Sequence, residues 1–353
     1  MVVPSLKVSG GVREALRLAA DLQRGASATC VLSMWASPHP MDAAVPVEKL
    51  SNWKPRVSRA AFELPALLFR FARWLRDQEH RPAALIFTHY ATLPLALLVP
   101  KRQRFFFVQD LEWQFIGNSF LSSLLRRVVL GFYRGGKIIS ANAYLTERLA
   151  KEGLEVFLEA PIWADPSFAG RAVAHRDRDV DLVMVLRKGA HKRLDLYRRF
   201  IALARQRGLR TVAITPEDEI AELVRAEIGE LVLRPSGEQM KAIYGRSKCF
   251  VHLSEHEGFG LPPLEAMGSG CVPVCRDSGG VRVFMRDAEL AKNLLPLGTP
   301  IEGVLDRAVT VIGNGPAWEG MSAVARSCFD IGLREGFDAR ARLAATLAQR
   351  GGR

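Results

Sequence analysis

The fold is constrained most by an alternation of short apolar runs with stretches of helical periodicity, which occurs twice along the chain. In the first series, strands are predicted at 2–3, 29–34, 84–88, 104–108 and 137–140, and helices at 12–22, 58–79 and 119–133. In the second series, strands are predicted at 181–186, 211–214, 231–233, 249–253 and 272–275, with helices between them. Strands that alternate with helices are typical of parallel α/β sheets.

The two series are separated by residues 159–180, which are rich in proline, glycine and charge. Such a composition is typical of a loop between packed segments. A chain of 353 residues also exceeds what one core usually organises, because domains commonly contain roughly 100–200 residues. We therefore predict a first domain at 1–160, a linker at 161–180 and a second domain at 181–317, each Rossmann-like. Residues 318–353 are predicted to be helical and are candidates for packing back on the first domain.

The composition favours a packed, cytoplasmic protein. Hydrophobic residues make up 48% of the chain and charged residues 24%, which excludes a mainly disordered chain. The longest apolar run, at 92–99, contains Pro94 and is far shorter than the roughly 20 residues of a membrane-spanning helix. The five cysteines are scattered, and the pair Cys271 and Cys275 has no second pair at ligand spacing. We expect a reducing compartment and no metal site.

The formal net charge of +12 indicates an anionic partner such as a phosphorylated substrate, a membrane surface or a nucleic acid. The excess is spread along the chain, since residues 1–170 carry 21 Lys and Arg against 14 Asp and Glu. Within this half, the stretch L-P-A-L-L-F-R-F-A-R-W-L-R combines apolar residues with Arg70, Arg73 and Arg76. Its spacing suits a helix packed on a sheet, which we favour, or a helix lying on an anionic membrane.

The stretch S-E-H-E-G-F-G-L-P-P-L-E-A-M-G-S-G-C-V-P-V, residues 254–274, carries the clearest chemistry. Gly258 and Gly260 let backbone amides approach a ligand, and the proline pair after Leu261 predicts the first turn of a helix whose amino end suits phosphate. Glu257 in the loop and Glu265 in the helix are acceptors for vicinal hydroxyl groups. Phosphate-binding amides beside two hydroxyl acceptors predict a nucleotide-sugar site.

These residues resemble the retaining nucleotide-sugar glycosyltransferases of family 4, and the run E-G-F-G-L-P-P-L-E matches that family's pair of glutamates separated by seven residues. The segment V-L-R-K-G-A-H-K-R-L-D is similar to the family's diphosphate-binding segment, through Arg187 and Lys192. The segment P-S-L-K-V-S-G-G-V-R, with Gly10 and Gly11, is similar to its amino-terminal glycine loop. The resemblance extends from Met1 to about Arg286.

The resemblance implies the GT-B fold, an α/β architecture of two Rossmann-like domains with parallel sheets facing across a cleft. It implies that Arg187, Lys192 and the amides around Phe259, Gly260 and Leu261 bind the donor diphosphate. Glu257 would hold hydroxyls of the donor sugar, and Glu265 those of the ribose. A metal ion or a cofactor is not implied, because the nucleoside-diphosphate sugar is itself a substrate.

His89 and Asp110 follow predicted strands of the first domain and are candidates for the acceptor side of the site. The neighbouring sequence Phe-Val-Gln-Asp, residues 107–110, differs from the His-Asp that many family members carry. We expect transfer of a hexose or deoxyhexose, with retention of configuration, to a glycan or lipid-linked acceptor in surface polysaccharide synthesis. The enzyme would then work in the cytoplasm, with a possible peripheral position at the inner face of the membrane.

Two other classes of protein remain as alternatives. A nucleotide-sugar epimerase or a phosphorylase could share the fold, although epimerases usually lack this loop and no Schiff-base lysine for a phosphorylase is identified. A nucleic-acid-binding protein would use the positive charge, but the sequence lacks clustered aromatic residues for base stacking. We therefore expect no nucleic-acid partner.

Overall fold

The computed structural model describes residues 1–6, 10–25, 28–37, 43–51, 60–78, 82–116 and 119–351, with the side chains of 60–62 and 350–351 left undescribed. The chain divides into two compact units. Unit 1 comprises Met1–Ile162 and Gly336–Arg353, and unit 2 comprises Trp163–Glu335. The segment 163–180, within the predicted linker, therefore belongs to unit 2, and the end of the last helix belongs to unit 1.

Unit 1 is built on a seven-stranded parallel sheet with the strand order β3-β2-β1-β4-β5-β6-β7. The strand order reverses between β1 and β4, because β2 and β3 lie on one side of β1 and β5 to β7 lie beyond β4. The strands are β1 Val2–Val3, β2 Val31–Ser33, β3 Val47–Lys49, β4 Leu85–Phe87, β5 Arg104–Val108, β6 Lys137–Ser140 and β7 Val156–Glu159.

The helices of unit 1 pack on this sheet through apolar faces. In the first helix, Ala15, Leu16, Ala19 and Leu22 recur at helical spacing and are buried. The α-helices are α1 Gly10–Arg24, α2 Ala60–Asp77, α3 Ser119–Tyr133 and α4 Ala143–Lys151, and the 3-10 helices are Tyr90–Leu98, Lys101–Gln103 and Glu112–Phe115. The end of the last helix of the chain joins α1 through an ion pair of 2.8 Å between Arg340 Nε and Asp21 Oδ2.

Unit 2 is built on a six-stranded parallel sheet with the strand order β10-β9-β8-β11-β12-β13. Its strands are β8 Val180–Val185, β9 Thr211–Thr215, β10 Glu230–Leu233, β11 Ser247–His252, β12 Val272–Arg276 and β13 Leu294–Leu295. Its α-helices are α5 Leu194–Gln206, α6 Asp218–Val224, α7 Gly237–Arg246, α8 Leu261–Gly268, α9 Ala288–Ala291, α10 Ile301–Gly313 and the first part of α11 Gly315–Gly351. Its 3-10 helices are Pro166–Phe168, His175–Asp177, Ala190–Lys192 and Gly280–Val283.

A buried arginine fastens the segment before β8 to the rest of unit 2. Arg178 donates to the carbonyl oxygens of Tyr244 at 3.0 Å, Ser247 at 2.6 Å and Ser269 at 2.8 Å. Its guanidinium also lies 4.7 Å from the centre of the Trp318 ring. These contacts satisfy the buried charge and join the starts of β8 and β11 to the end of α8.

The structure confirms the predicted fold class, with two Rossmann-like units on parallel sheets. Periodicity predicted β5, β6 and α3 with the observed bounds, but it did not predict the short outer strands β3, β7 and β13. The apolar run at 92–99 forms most of the 3-10 helix Tyr90–Leu98, which contains Pro94. In the described parts of the chain, no helix is both long and apolar enough to cross a membrane.

Candidate functional site

The candidate site lies at the carboxyl edge of the unit 2 sheet, where the strand order reverses. From β8 the chain proceeds outward to β9 and β10, whereas from β11 it proceeds the other way to β12 and β13. Lys192 ends the 3-10 helix that follows β8, and Glu257 lies in the loop that follows β11. Open α/β sheets bind ligands at such a reversal, because the two connections part there and leave a crevice.

Lys192 and Glu257 form an ion pair in this crevice in which the ammonium group binds both carboxylate oxygens. The ammonium Nζ of Lys192 donates to Oε1 of Glu257 at 2.7 Å and to Oε2 at 2.9 Å. The exposed fraction of the side chain is 24% for Lys192 and 13% for Glu257. Both charges are therefore largely removed from water, yet the lysine can still be reached by a ligand.

The lysine keeps the glutamate ionised. Burial by itself would raise the pKa of the Glu257 carboxyl, but the charge and hydrogen bonds of Lys192 outweigh burial and lower that pKa to about 2. The buried imidazole of His252 lies 3.5 Å away, from Nε2 to Oε1 of Glu257. Burial lowers the pKa of His252 to about 4, so this imidazole is neutral near pH 7.

Backbone hydrogen bonds hold the loop around Glu257 on two sides. The Glu257 N–H donates to the Ser278 carbonyl at 3.0 Å, and the Gly280 N–H donates to the Glu257 carbonyl at 3.0 Å. On the other side, the Glu255 N–H donates to the His191 carbonyl at 2.8 Å. The loop after β11 is thus fixed between the loops after β8 and β12.

Glycine is required where these loops meet. A Cβ atom at Gly280 would lie 2.5 Å from the carbonyl carbon of Gly258 and from the nitrogen of Phe259. Gly260 has a φ of +88°, which residues with a side chain rarely adopt. The glycines therefore let the backbone of one loop pass against that of the next.

The amino end of α8 presents backbone donors beside the ion pair. Within the described residues, the N–H groups of Phe259, Gly260 and Leu261 have no backbone acceptor. The next two residues are prolines, which have no N–H group. Free amides at the positive end of a helix are suited to an anion such as phosphate. The Phe259 ring itself is buried, and its centre lies 5.5 Å from the centre of the Trp163 ring and 5.8 Å from that of Phe284.

The other residues predicted in unit 2 have different surroundings. Glu265 is buried in the second turn of α8. Arg187 follows β8, and its Nε donates to Glu217 Oε1 at 3.1 Å, on the side of β9. Arg187 and Lys192, which were predicted to bind one ligand together, thus take part in two separate ion pairs.

In unit 1, Gly10 and Gly11 form the exposed start of α1, after β1. A Cβ atom at Gly11 would lie 3.3 Å from Oε1 of Gln109, the residue after β5. The start of α1 therefore lies close to the residue that follows β5. Residues 7–9 of the predicted glycine loop lie outside the described residues.

His89 and Asp110 mainly organise their own loops. Nδ1 of His89 accepts from the Ala91 N–H at 3.1 Å and thereby caps a 3-10 helix, and Oδ1 of Asp110 accepts from the Leu111 N–H at 2.9 Å. His89 also lies 3.6 Å from Glu112, between Nε2 and Oε1. Burial raises the pKa of Glu112 to about 8, against the opposing effect of its hydrogen bond from the Tyr90 N–H.

The sequence analysis missed Glu112 and His252 as site residues. Glu112 lies two residues after Asp110, so two acids shortly after a predicted strand were an available signal. His252 ends a strand and follows three apolar residues, Cys249 to Val251, and a polar residue in that position was a weaker signal.

Comparison with known proteins finds similarity in the region that contains the loop and α8. Residues 227–299, which contain the loop and α8, match the family model "Glycosyl transferases group 1". A putative glycosyltransferase of a Sulfolobus islandicus filamentous virus is 49% identical over 47 residues, 13% of this chain and 14% of its own. The GDP-mannose:cellobiosyl-diphosphopolyprenol alpha-mannosyltransferase of Xanthomonas oryzae is 41% identical over 58 residues, 16% of this chain and 15% of its own. The chain thus spans only a small part of these curated relatives.

Similarity to solved structures covers nearly the whole chain. Sucrose-phosphate synthase from Thermosynechococcus elongatus has a TM-score of 0.78 at 14% identity, covering 99% of this chain and 95% of its own. The Anabaena protein Alr3699/HepE in complex with UDP-glucose has a TM-score of 0.70 at 14% identity, covering 99% and 98%. WaaG, a glycosyltransferase involved in lipopolysaccharide biosynthesis, has a TM-score of 0.70 at 11% identity, covering 98% of both. The chain therefore has the GT-B fold of these glycosyltransferases, with a glycosyl transferases group 1 region at residues 227–299.

Proposed function

We propose that this protein is a retaining, metal-independent glycosyltransferase that moves a hexose or deoxyhexose from a nucleoside-diphosphate sugar to a glycan or lipid-linked acceptor. The observation that carries the proposal is the Lys192–Glu257 pair, which lies at the strand-order reversal beside the free amides of Phe259, Gly260 and Leu261. A cation and helix-end amides suit a diphosphate, and a carboxylate suits sugar hydroxyls.

A bound donor would rearrange the ion pairs of Lys192 and Arg187. The diphosphate would attract Lys192 away from Glu257 and accept hydrogen bonds from the loop amides. Arg187 is 43% exposed and could turn from Glu217 to the same phosphates. Glu257 would then accept from hydroxyls of the donor sugar, and Glu265 from those of the ribose. The name of the Anabaena structure, a complex with UDP-glucose, supports this class of donor.

In the transfer step, the bond between the anomeric carbon and the diphosphate oxygen breaks, and the acceptor oxygen bonds to that carbon on the same face. The acceptor hydroxyl proton goes to the leaving phosphate oxygen. Negative charge grows on the diphosphate in the transition state, where Lys192, Arg187 and the loop amides stabilise it. Loss of one preorganised donor of this kind commonly costs about 3 kcal/mol of transition-state stabilisation.

For the acceptor, an apolar surface of unit 1 supports a lipid-linked substrate at an anionic membrane. We call it the unit 1 apolar face, and it consists of exposed Phe69 on α2, Leu97 and Leu98 in the 3-10 helix, and Phe120, Leu121, Leu124 and Val128 on α3. Both α2 and α3 pack on that 3-10 helix, so these residues belong to neighbouring elements. Exposed Lys101, Arg102 and Arg127 accompany them. Apolar residues accompanied by basic ones suit anionic lipid.

The arginines of α2 are less available for lipid than their spacing suggested. Arg70 donates to the Leu50 carbonyl at 3.3 Å, and Arg73 donates to Asp77 at 3.3 Å. Membrane binding is therefore better tested on α3 than on α2. The relative from Xanthomonas oryzae, whose name includes a diphosphopolyprenol acceptor, supports a lipid-linked substrate.

Thermal-shift screening of UDP-, GDP- and dTDP-sugars tests the donor class. A bound donor at 100 times its dissociation constant should stabilise the fold by about 2.7 kcal/mol. An assay with radiolabelled sugar nucleotide, run with and without a lipid extract as the acceptor, then separates transfer from epimerisation or phosphorolysis. The proposal fails if none of these sugar nucleotides stabilises the protein or yields a transferred sugar.

Co-sedimentation with vesicles tests the membrane surface. The double variant Phe120→Asp, Leu124→Asp should lose binding to anionic vesicles, because both side chains are exposed and on one side of α3. Leu223→Asp, at an exposed leucine of unit 2, is the matched control and should bind as the wild type does. Equal pelleting of the double variant and the control would leave a water-soluble acceptor as the better candidate.

A further inference from the structure

His252 has a buried nitrogen atom that the ion-pair geometry does not explain. It is the last residue of β11, and its register partner on β12 is Cys275. The side chain is almost fully buried, and among the described residues its Nε2 atom has no hydrogen-bond partner. Buried polar atoms in folded proteins nearly always have a partner, so an exception indicates a role in another state of the molecule.

The nearest candidate partner for Nε2 is Glu257. The distance from Nε2 to Oε1 is 3.5 Å, which is beyond the range of a normal N–H···O hydrogen bond. Both carboxylate oxygens are instead held by Lys192, at 2.7 and 2.9 Å. A shift of Glu257 by a few tenths of an ångström would bring Oε1 within hydrogen-bonding distance of His252.

Donor binding would produce this shift. When Lys192 turns to the diphosphate, Glu257 loses its counter-ion while it remains largely buried and beside a new anion. A buried carboxylate without a hydrogen-bond donor tends to take up a proton, or its side chain turns towards water. The Ser254 side chain also donates to Glu257, and hydroxyls of the donor sugar would join it, but a carboxylate has about four acceptor sites and can take a further neutral donor.

We propose that His252 is a positioning residue that donates its Nε2–H to the Glu257 carboxylate once the donor diphosphate has drawn Lys192 away. This role rests on the function proposed above. The imidazole suits the role because it is neutral near pH 7, and a neutral donor does not compete with Lys192 for the diphosphate. His252 thereby keeps Glu257 ionised and directed at the donor sugar during transfer.

A pair of variants separates positioning from a structural role. His252→Gln keeps an N–H donor near the position of Nε2, whereas His252→Leu removes it at similar volume. We expect His252→Leu to lower kcat by about ten-fold with little change in the dissociation constant of UDP or GDP, and His252→Gln to restore most of kcat. We also expect His252→Leu to melt no lower than the wild type without ligand, since it removes an unpartnered buried polar atom.

Titration calorimetry with UDP, GDP and dTDP distinguishes failure of this inference from failure of the proposed function. If the wild type binds none of these nucleotides, both fail together. If a nucleotide binds and His252→Leu transfers sugar as fast as the wild type, the inference is overturned while the proposed function stands. Equal loss of kcat in the Leu and Gln variants, with nucleotide binding intact, would likewise overturn it.

Discussion

The two units reverse their strand order in the same way, yet they use the reversal differently. In unit 2, the crevice contains a largely buried ion pair whose loop is held by backbone hydrogen bonds on two sides. In unit 1, the loops after β4 and β5 carry His89 and Asp110, which accept hydrogen bonds from neighbouring backbone groups, and α1 begins with two exposed glycines. The difference teaches that a parallel α/β sheet provides a place for a ligand, whereas fixed charges determine which ligand is bound.

Among the changes that leave every charged group of the site in place, Gly280→Ala should produce the largest effect, because it disturbs the backbone that fixes Glu257. The added Cβ would lie 2.5 Å from backbone atoms of Gly258 and Phe259, so the loop must shift. A displacement of this kind at a reacting centre can cost about 100-fold in rate. Steady-state measurement of kcat/KM should show that loss, with the far-UV circular dichroism of the wild type retained.

Gly298→Ala is the matched control for this variant. Its Cβ would have nothing within 4 Å, so kcat/KM should stay close to that of the wild type. Should Gly280→Ala transfer sugar as well as Gly298→Ala, the loop around Glu257 would have to be more adaptable than its hydrogen bonds indicate.

Lys192 and Arg187 should contribute unequally to nucleotide affinity. Lys192→Ala should weaken UDP or GDP binding by about 10- to 100-fold, since it removes a charge-assisted contact, and Arg187→Ala should weaken it less because Arg187 first has to leave Glu217. The double variant should lose less than the product of both effects, because both cations contact one diphosphate. Titration calorimetry measures each constant.

Lys188→Ala is the matched control for these two variants. Lys188 is exposed, lies in the same basic segment, residues 187–193, and pairs with Glu219 on α6. Its nucleotide affinity should match that of the wild type. If all three single variants bind equally well, the segment is an ordinary solvated surface.

Acid should weaken unit 2 through Glu257. The pKa of this carboxyl falls from its ordinary 4.5 to about 2 in the folded chain, so its stabilisation is complete above pH 4.5 and disappears as the pH falls towards 2. Between pH 6 and pH 3, the wild type should lose about 2 kcal/mol of unfolding free energy relative to Glu257→Gln. Urea denaturation of both proteins at the two pH values measures this difference. A pH-independent difference would mean that Lys192 does not hold the carboxylate.

Changes at the unit 1 reversal should have the smallest effects. His89→Asn and Asp110→Asn alter loops that do not contain the charged pair, so we expect kcat/KM to fall by less than about 10-fold and the nucleotide dissociation constant to stay unchanged. Kinetics at varied acceptor concentration should place any loss in the KM for the acceptor. A large rise in the nucleotide dissociation constant would show that unit 1 contributes to donor binding.

The sequence allowed prediction of the parts that depend on local pattern. Apolar periodicity located the inner strands and α1 to α3, since buried faces repeat at the spacing of their own element. The spacing of Gly258, Gly260 and the proline pair predicted the loop and the start of α8, because glycine adopts turn conformations that other residues avoid and proline has a fixed φ that suits the first turn of a helix.

Contacts between residues far apart in the sequence could not be predicted from the pattern. The pairing of Lys192 with Glu257 joins residues 65 positions apart, and that of Arg187 with Glu217 joins residues 30 apart. Periodicity carries no information on which charges meet across neighbouring strands. The short outer strands β3, β7 and β13 were missed for a similar reason, since two to four residues are too few to show a clear alternation.

The most direct test of the account is the activity of Glu257→Gln with the best donor from the sugar-nucleotide screen. The central claim is that Glu257 acts on the donor sugar while Lys192 and the loop amides hold the diphosphate. The account predicts that kcat falls by about 100-fold or more, while the dissociation constant of the nucleoside diphosphate changes by less than about 10-fold. An unchanged kcat in a correctly folded variant would contradict it.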